Sequence, residues 1–93
     1  MKTAELIGPA LDWATAKCEG ITLGVVYHFK PSTNWAQGGP IIERERIMLM
    51  PYGAKGEWSA EIYNRQEGPT PLIAAMRCFI ASKLGDEVDV PKE

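Results

Sequence analysis

TPLIAAMRCFIASKLG, residues 70–85, is the most strongly patterned segment of the chain. Thr70 can cap a helix, and Pro71 can occupy its first position, where the missing N–H costs nothing. A broad apolar stripe follows at helical spacing, formed by Leu72, Ile73, Met76, Phe79, Ile80 and Leu84. Gly85 is placed to end the helix. The pattern predicts a C-terminal helix that belongs to the core.

A second helix is predicted near the N-terminus, over about Pro9–Cys18. Its apolar residues share one face at i, i+4 spacing, and Gly20 follows as a stop. Thr3 is predicted to cap a preceding helical turn.

Three strands are predicted between these helices. Ile21–Phe29 alternates between two sets of side chains, as a half-buried strand does. RIMLMP (46–51) and EWSAEIY (57–63) are joined by a loop with two glycines, which is typical of a hairpin. NRQEGPTPL (64–72) is predicted to begin as a loop.

These elements predict an α+β fold, with a small, mostly antiparallel three-stranded sheet and the N- and C-terminal helices packed on one face. Residues 1–85 are predicted to form a single domain. DEVDVPKE (86–93) is predicted to be an acidic, mobile C-terminal tail.

Composition excludes several classes of function. The 93 residues carry a net charge of −2, so nothing drives the protein toward nucleic acid or an anionic membrane. Cys18 and Cys78 belong to no CxxC motif and are predicted to be reduced thiols. The N-terminal residues do not read as a signal peptide or membrane anchor, which predicts a cytoplasmic protein.

No catalytic or cofactor motif stands out in the sequence. The single histidine, His28, lies within a predicted strand and is interpreted as structural. Glu43 and Glu45 could form a catalytic pair, but flanking arginines favour a self-compensated charged face. Metal-ligand, phosphate-loop and dinucleotide patterns are absent from the sequence. We therefore predict no cofactor, no metal and no enzymatic activity.

The most site-like segment is STNWAQGGPIIERER, residues 32–46. Pro40 is predicted to open a short helix, whose free amides would favour an anion. The candidate ligand-binding residues are Asn34, Trp35, Gln37, Gly38, Gly39, Arg44 and Arg46. A nucleotide or another anion would suit this set of groups. The set offers a flat tryptophan ring, side-chain amides, accessible glycine backbone and arginines. In the alternative interpretation, Trp35 plugs the core and the glycines only make a turn.

Three motifs carry a resemblance to a known family: ALDWATAKCEG (10–20), STNWAQGGPIIERERI (32–47) and GPTPLIAAMRCFIASKLGDEV (68–88). In the same order, they resemble the NinX family of small proteins from tailed phages and prophages of enterobacteria. The resemblance covers nearly the whole chain. It implies a phage accessory protein that works in the bacterial cytoplasm, and it carries no activity or catalytic residue.

Two hypotheses of function follow from the residues and the setting. The first is a non-enzymatic binding module that takes an anionic small molecule, such as a nucleotide, at the 32–46 segment. The alternative is a factor that docks on a host or phage enzyme through an exposed apolar face containing Met48 and Met50. Open sheet edges also suggest self-association to a homodimer.

Overall fold

The computed structural model describes residues 1–21 and 28–90. A short 3-10 turn, Thr3–Glu5, precedes the main elements. In chain order these are α1 (Gly8–Glu19), α2 (Trp35–Glu45), β1 (Met48–Tyr52), β2 (Glu57–Glu61), β3 (Arg65–Gly68) and α3 (Pro71–Leu84). The α+β class is confirmed, with a three-stranded antiparallel sheet and helices at both ends of the chain.

The centre of the core is α3. Eight of its 14 residues are buried, so it has almost no solvent-facing side in its first three turns. It packs directly on the sheet, while α1 and α2 contact α3. The Thr70 hydroxyl caps it by accepting from the Ile73 amide at 3.1 Å, and the helix ends at Gly85, as predicted.

The sheet has the order β1-β2-β3, and both pairs are antiparallel. The predicted hairpin is confirmed, with Leu49 opposite Ala60. The predicted loop beyond it is wrong for Arg65–Gly68, which forms β3. The β3 sequence lacks an apolar pattern because β3 is an edge strand. Pairing with β2 and close contact with α3 order it instead. A Cβ on Gly68 would lie 2.8 Å from the backbone nitrogen of Ala74.

The predicted strand Ile21–Phe29 falls mainly on residues 22–27, which lie outside the described residues. The predicted N-terminal helix is confirmed as α1, with Gly20 in the left-handed region at its end. Thr3 does not cap the turn that precedes α1. Its side chain is buried, and its hydroxyl donates to the Gly85 carbonyl at 2.6 Å.

Val88 and Val90, within the segment predicted to be a mobile tail, pack against the core. Val88 is 4% exposed and belongs to the core cluster. The Thr3 amide donates to the Asp86 carbonyl at 2.7 Å, and the Val88 amide donates to the Met1 carbonyl at 2.9 Å. Burial of an apolar side chain and these backbone bonds together offset the entropy lost on ordering the segment.

Both cysteines are free thiols. Cys78 is fully buried, and burial raises the pKa of its thiol to about 11, whereas Cys18 is half-buried with a pKa raised chiefly by burial.

Because the thiolate is the reactive form, we expect Ellman's reagent at about pH 8 to modify Cys18 slowly and Cys78 only after unfolding. Equal reaction of both thiols in the native protein would contradict this assignment.

Candidate functional site

The helix in the 32–46 segment begins more than one turn earlier than predicted. Trp35 is its first residue, and Pro40 lies inside it. Asn34 is the N-cap, and its side-chain oxygen accepts from the Ala36 amide at 2.9 Å. The helix continues through Pro40, and the lack of a Cβ on Gly39 eases the restriction that a proline places on the residue before it. The asparagine cap therefore outweighs the proline as a start signal.

The Gly38 amide, one of the two glycine amides proposed for anion binding, is used within the helix. The amides of Gln37 and Gly38 both donate to the Asn34 carbonyl, at 3.0 and 2.8 Å. Gly38 is also buried, and a Cβ there would lie 2.5 Å from the Pro31 carbonyl oxygen and 2.6 Å from Leu72 Cδ2. Its role in the structure is close packing of α2 against the preceding loop and α3.

Gln37 holds the segment that enters α2. Its side-chain oxygen accepts from the Lys30 amide at 2.6 Å, and its side-chain nitrogen donates to the His28 carbonyl at 3.0 Å. Behind it, the buried carboxylate of Asp12 accepts from the Ser32 amide at 2.9 Å. Both the oxygen and the nitrogen of the Gln37 side chain are therefore hydrogen-bonded to backbone groups.

The two candidate arginines lie at the far end of α2. Arg44 is about 14 Å along the axis from Trp35, at 1.5 Å per residue. Its guanidinium donates to both oxygens of Glu19, at 3.0 and 2.6 Å, and to Glu45 at 2.8 Å. Hydrogen bonds to Glu19 and then Glu45 raise the pKa of Arg44. Arg46 is the exposed C-cap, in the left-handed region with φ of 56°.

Trp35 is 54% exposed, so the interpretation of this side chain as a core plug is wrong. Asn34, Trp35 and Gln37 lie together at the start of α2, whereas Arg44 and Arg46 lie at its end. The seven candidate residues therefore do not converge on one ligand position.

A second surface lies on the side of the sheet that faces away from α3, which we call the outer sheet face. Strand alternation and cross-strand register place on it the side chains of Met48, Met50, Tyr52, Glu57, Ser59, Glu61, Arg65 and Glu67. Ala60, on the opposite side, is fully buried in the core. Met48 is 54% exposed and Tyr52 39% exposed, so β1 presents an apolar strip to solvent.

The other strands of the outer sheet face are polar. The Arg65 guanidinium lies 5.1 Å from the centre of the Tyr52 ring and 3.7 Å from the Glu67 carboxylate. Ser59, on the central strand, is 1% exposed, and its hydroxyl has no hydrogen-bond partner. The outer sheet face is therefore buried at Ser59, and its exposed apolar part lies on β1.

Within residues 1–21 and 28–90, no group of three or more His, Cys, Asp or Glu side chains is arranged to hold a metal ion. Among the same residues, no helix has the length and hydropathy needed to cross a bilayer.

The fold and its surface define a small α+β domain built around one central helix, with an exposed apolar strip on β1. Residues 2–83 match the family model described as Bacteriophage P22, NinX. The chain therefore belongs to the NinX family of phage proteins, as its motifs indicated. No curated protein matches the chain.

Proposed function

We propose that this phage protein is a non-enzymatic binding module that docks on another protein through the outer sheet face. The observation that carries the proposal is the apolar strip on β1, where Met48 and Tyr52 are 54% and 39% exposed with Met50 between them on the same face. Methionine is flexible and polarizable, which suits an adaptable contact surface. Exposed apolar strips of this kind are typical of interaction sites.

The charged residues beside the apolar strip indicate what kind of surface the partner presents. Glu61 lies opposite Met48, and Glu57 lies opposite Tyr52, so carboxylates border the apolar strip. Among the described residues, neither carboxylate has an ion-pair partner, whereas Arg65 is paired with Glu67. The surface therefore complements an apolar patch bordered by Lys or Arg. A second copy of the same face would place carboxylates against carboxylates, which favours a different protein over a homodimer.

The hypothesis of an anionic ligand at residues 32–46 has weaker support. Two of its premises were free amides at Gly38 and Gly39 and an available Arg44. Gly38 donates within α2, and Arg44 is bound by Glu19 and Glu45. Docking through the outer sheet face therefore agrees better with the geometry.

Site-specific photo-crosslinking in phage-infected bacteria tests the docking proposal. A benzophenone amino acid at Met48 should give one crosslinked protein, whose contact peptide carries Lys or Arg beside apolar residues. The same probe at Trp35, which is equally exposed but lies at the start of α2, should not give that product. Products from Trp35 alone, or crosslinks only to a second copy of this chain, would refute the proposal.

Affinity for the crosslinked partner provides a matched comparison. Met48→Glu should weaken binding by at least about tenfold, because it buries a carboxylate beside Glu61 in the contact. Tyr63→Glu is the control, since Tyr63 is 93% exposed but lies in the β2–β3 turn. An equal loss in both variants would indicate a nonspecific effect of charge and contradict the assignment of the surface.

A further inference from the structure

A groove of about 550 Å³ lies at the β3 edge of the sheet. The 3-10 turn, β3 and α3 all contribute to its walls, and the groove reaches the end of the outer sheet face at Tyr52. Its lining consists of Ala4, Tyr52, Glu57, Arg65, Gln66, Glu67, Gly68, Pro69 and Arg77.

Arg77 is the unusual member of this lining. It is the one charged residue between Pro71 and Ser82, in the helix that forms the centre of the core. Its Nε donates to the Leu6 carbonyl at 2.8 Å, and its Nη1 donates to the Glu67 carbonyl at 2.7 Å. A guanidinium has five N–H donors, so three remain free of these two bonds.

None of the described carboxylates lies within ion-pair distance of this guanidinium. Within residues 1–21 and 28–90, Arg77 forms no ion pair, unlike Arg44 and Arg65. The side chain is partly buried, and burial lowers the pKa of Arg77 because the charged form loses solvation. The group stays protonated at neutral pH. A half-buried cation that is oriented by two carbonyls and lacks a counter-ion is suited to an incoming anion.

We propose that this groove is a binding site for a carboxylate, which the free N–H donors of Arg77 hold while Tyr52 and Pro69 contact the apolar part of the ligand. The guanidinium fork matches the two oxygens of a planar carboxylate. The two backbone bonds hold the fork in place before the ligand arrives, which reduces the entropy cost of binding.

The charged side chains that line the groove favour a ligand with a single negative charge. Among the described residues, Arg65 is paired with Glu67 at 3.7 Å and Glu57 adds a further carboxylate to the lining, whereas Arg77 forms no ion pair. A phosphate dianion would bring a second negative charge close to these carboxylates, whereas a monocarboxylate neutralises Arg77 alone. The carboxylate can belong to a small molecule or to a peptide. The site does not rest on the docking proposal, because Arg77 lies outside the outer sheet face.

A titration followed by ¹H–¹⁵N NMR tests the site with benzoate as the probe. Benzoate should shift the Arg77 Nε–H signal and the amides of Gln66–Gly68 in a saturable way, with a Kd in the millimolar range for so small a ligand. Benzamide, the neutral analogue, should bind at least about tenfold more weakly because it carries no charge, and the phosphate dianion should do so because of its second negative charge. Equal shifts with benzamide, or benzoate shifts that avoid these residues, would overturn the proposal.

A peptide arm distinguishes the two sources of the carboxylate. Acetyl-Gly-Glu-Gly-amide should shift the same signals if the site accepts a peptide side chain, and its glutamine analogue should not. Binding of benzoate without the acidic peptide would assign the site to small carboxylates.

Two substitutions separate binding from folding. Arg77→Gln should weaken benzoate binding at least about tenfold, while Lys17→Gln, which removes an exposed cation on α1, should leave it unchanged. Tyr52→Leu keeps Arg77 in place and should weaken binding by a smaller factor, so it covers the case in which Arg77→Gln does not fold. Wild-type affinity in a folded Arg77→Gln protein, or in Tyr52→Leu when Arg77→Gln does not fold, would refute the site.

Discussion

Phe79→Ala is expected to lower the free energy of unfolding by about 3–5 kcal/mol, because it removes a large aromatic ring from the core. Phe79 is 1% exposed and lies on α3, the helix shared by the sheet and both other helices. The loss has two parts: the favourable free energy of burying a large aromatic ring, and the cost of a cavity that neighbouring elements cannot close. The cations of Arg44 and Lys83, 5.6 and 5.9 Å from the ring centre, also lose their contact.

Urea unfolding followed by circular dichroism measures this change, and thermal melting should show a decrease in Tm of more than about 10 °C. Leu84→Ala is the control on the same helix, because Leu84 is 39% exposed. It should cost less than about 1 kcal/mol. A Phe79→Ala protein that melts within about a degree of wild type would show that this face of α3 is not in the core.

Gly38→Ala is expected to lower the free energy of unfolding by about 1–3 kcal/mol, although alanine is intrinsically the better helix former by about 1 kcal/mol. The added Cβ would lie 2.5 Å from the Pro31 carbonyl oxygen and 2.6 Å from Leu72 Cδ2. A leucine methyl can shift, but the backbone carbonyl belongs to the loop that precedes α2. The contact can be relieved only by moving α2 away from α3.

Gly39→Ala is the matched control, one residue along the same helix. A Cβ there meets nothing within 4 Å beyond its chain neighbours, and its φ is not positive. The gain in helix propensity and the restriction on a residue before proline oppose each other, so stability should stay within about 0.5 kcal/mol of wild type. Equal destabilisation of both variants in the same urea experiment would mean that the close approach at Gly38 is not the cause.

The same control variant tests the earlier hypothesis about the 32–46 segment. A ligand that approaches the Gly39 backbone would be blocked by a methyl group in a protein that folds normally. If the segment binds a ligand, Gly39→Ala and Arg46→Ala should both reduce the protein's effect on phage growth. Normal phage growth with both folded variants would end that hypothesis.

Elements with strong local signals were predicted well. The stripe in α3 has the period of a helix, and Thr70 and Gly85 bound it with backbone chemistry that acts within one turn. The hairpin of β1 and β2 also follows from residues close in sequence. Three motifs in order were enough to indicate the NinX family, which the match over residues 2–83 confirms.

Features that depend on distant residues were not predicted. β3 is a strand because β2 lies beside it, and Val88 is buried because the N-terminal residues pair with residues 86–88. Arg44 resembled a ligand-binding arginine until the fold placed Glu19, from α1, against it. For Arg77 the reverse holds. The sequence shows a single charged residue within an apolar helix, but only the fold shows that no described carboxylate pairs with it.

The physical reason is the range of the interactions. Helix periodicity, caps and tight turns depend on contacts within a few residues, so the order and type of the main elements can be inferred from the chain alone. An ion pair, an edge strand or an unneutralised cation depends on which groups folding brings together. Local sequence therefore predicted α1, α3 and the hairpin, whereas packing around α3 established which arginines are bound, which side chains stay exposed and where a groove remains.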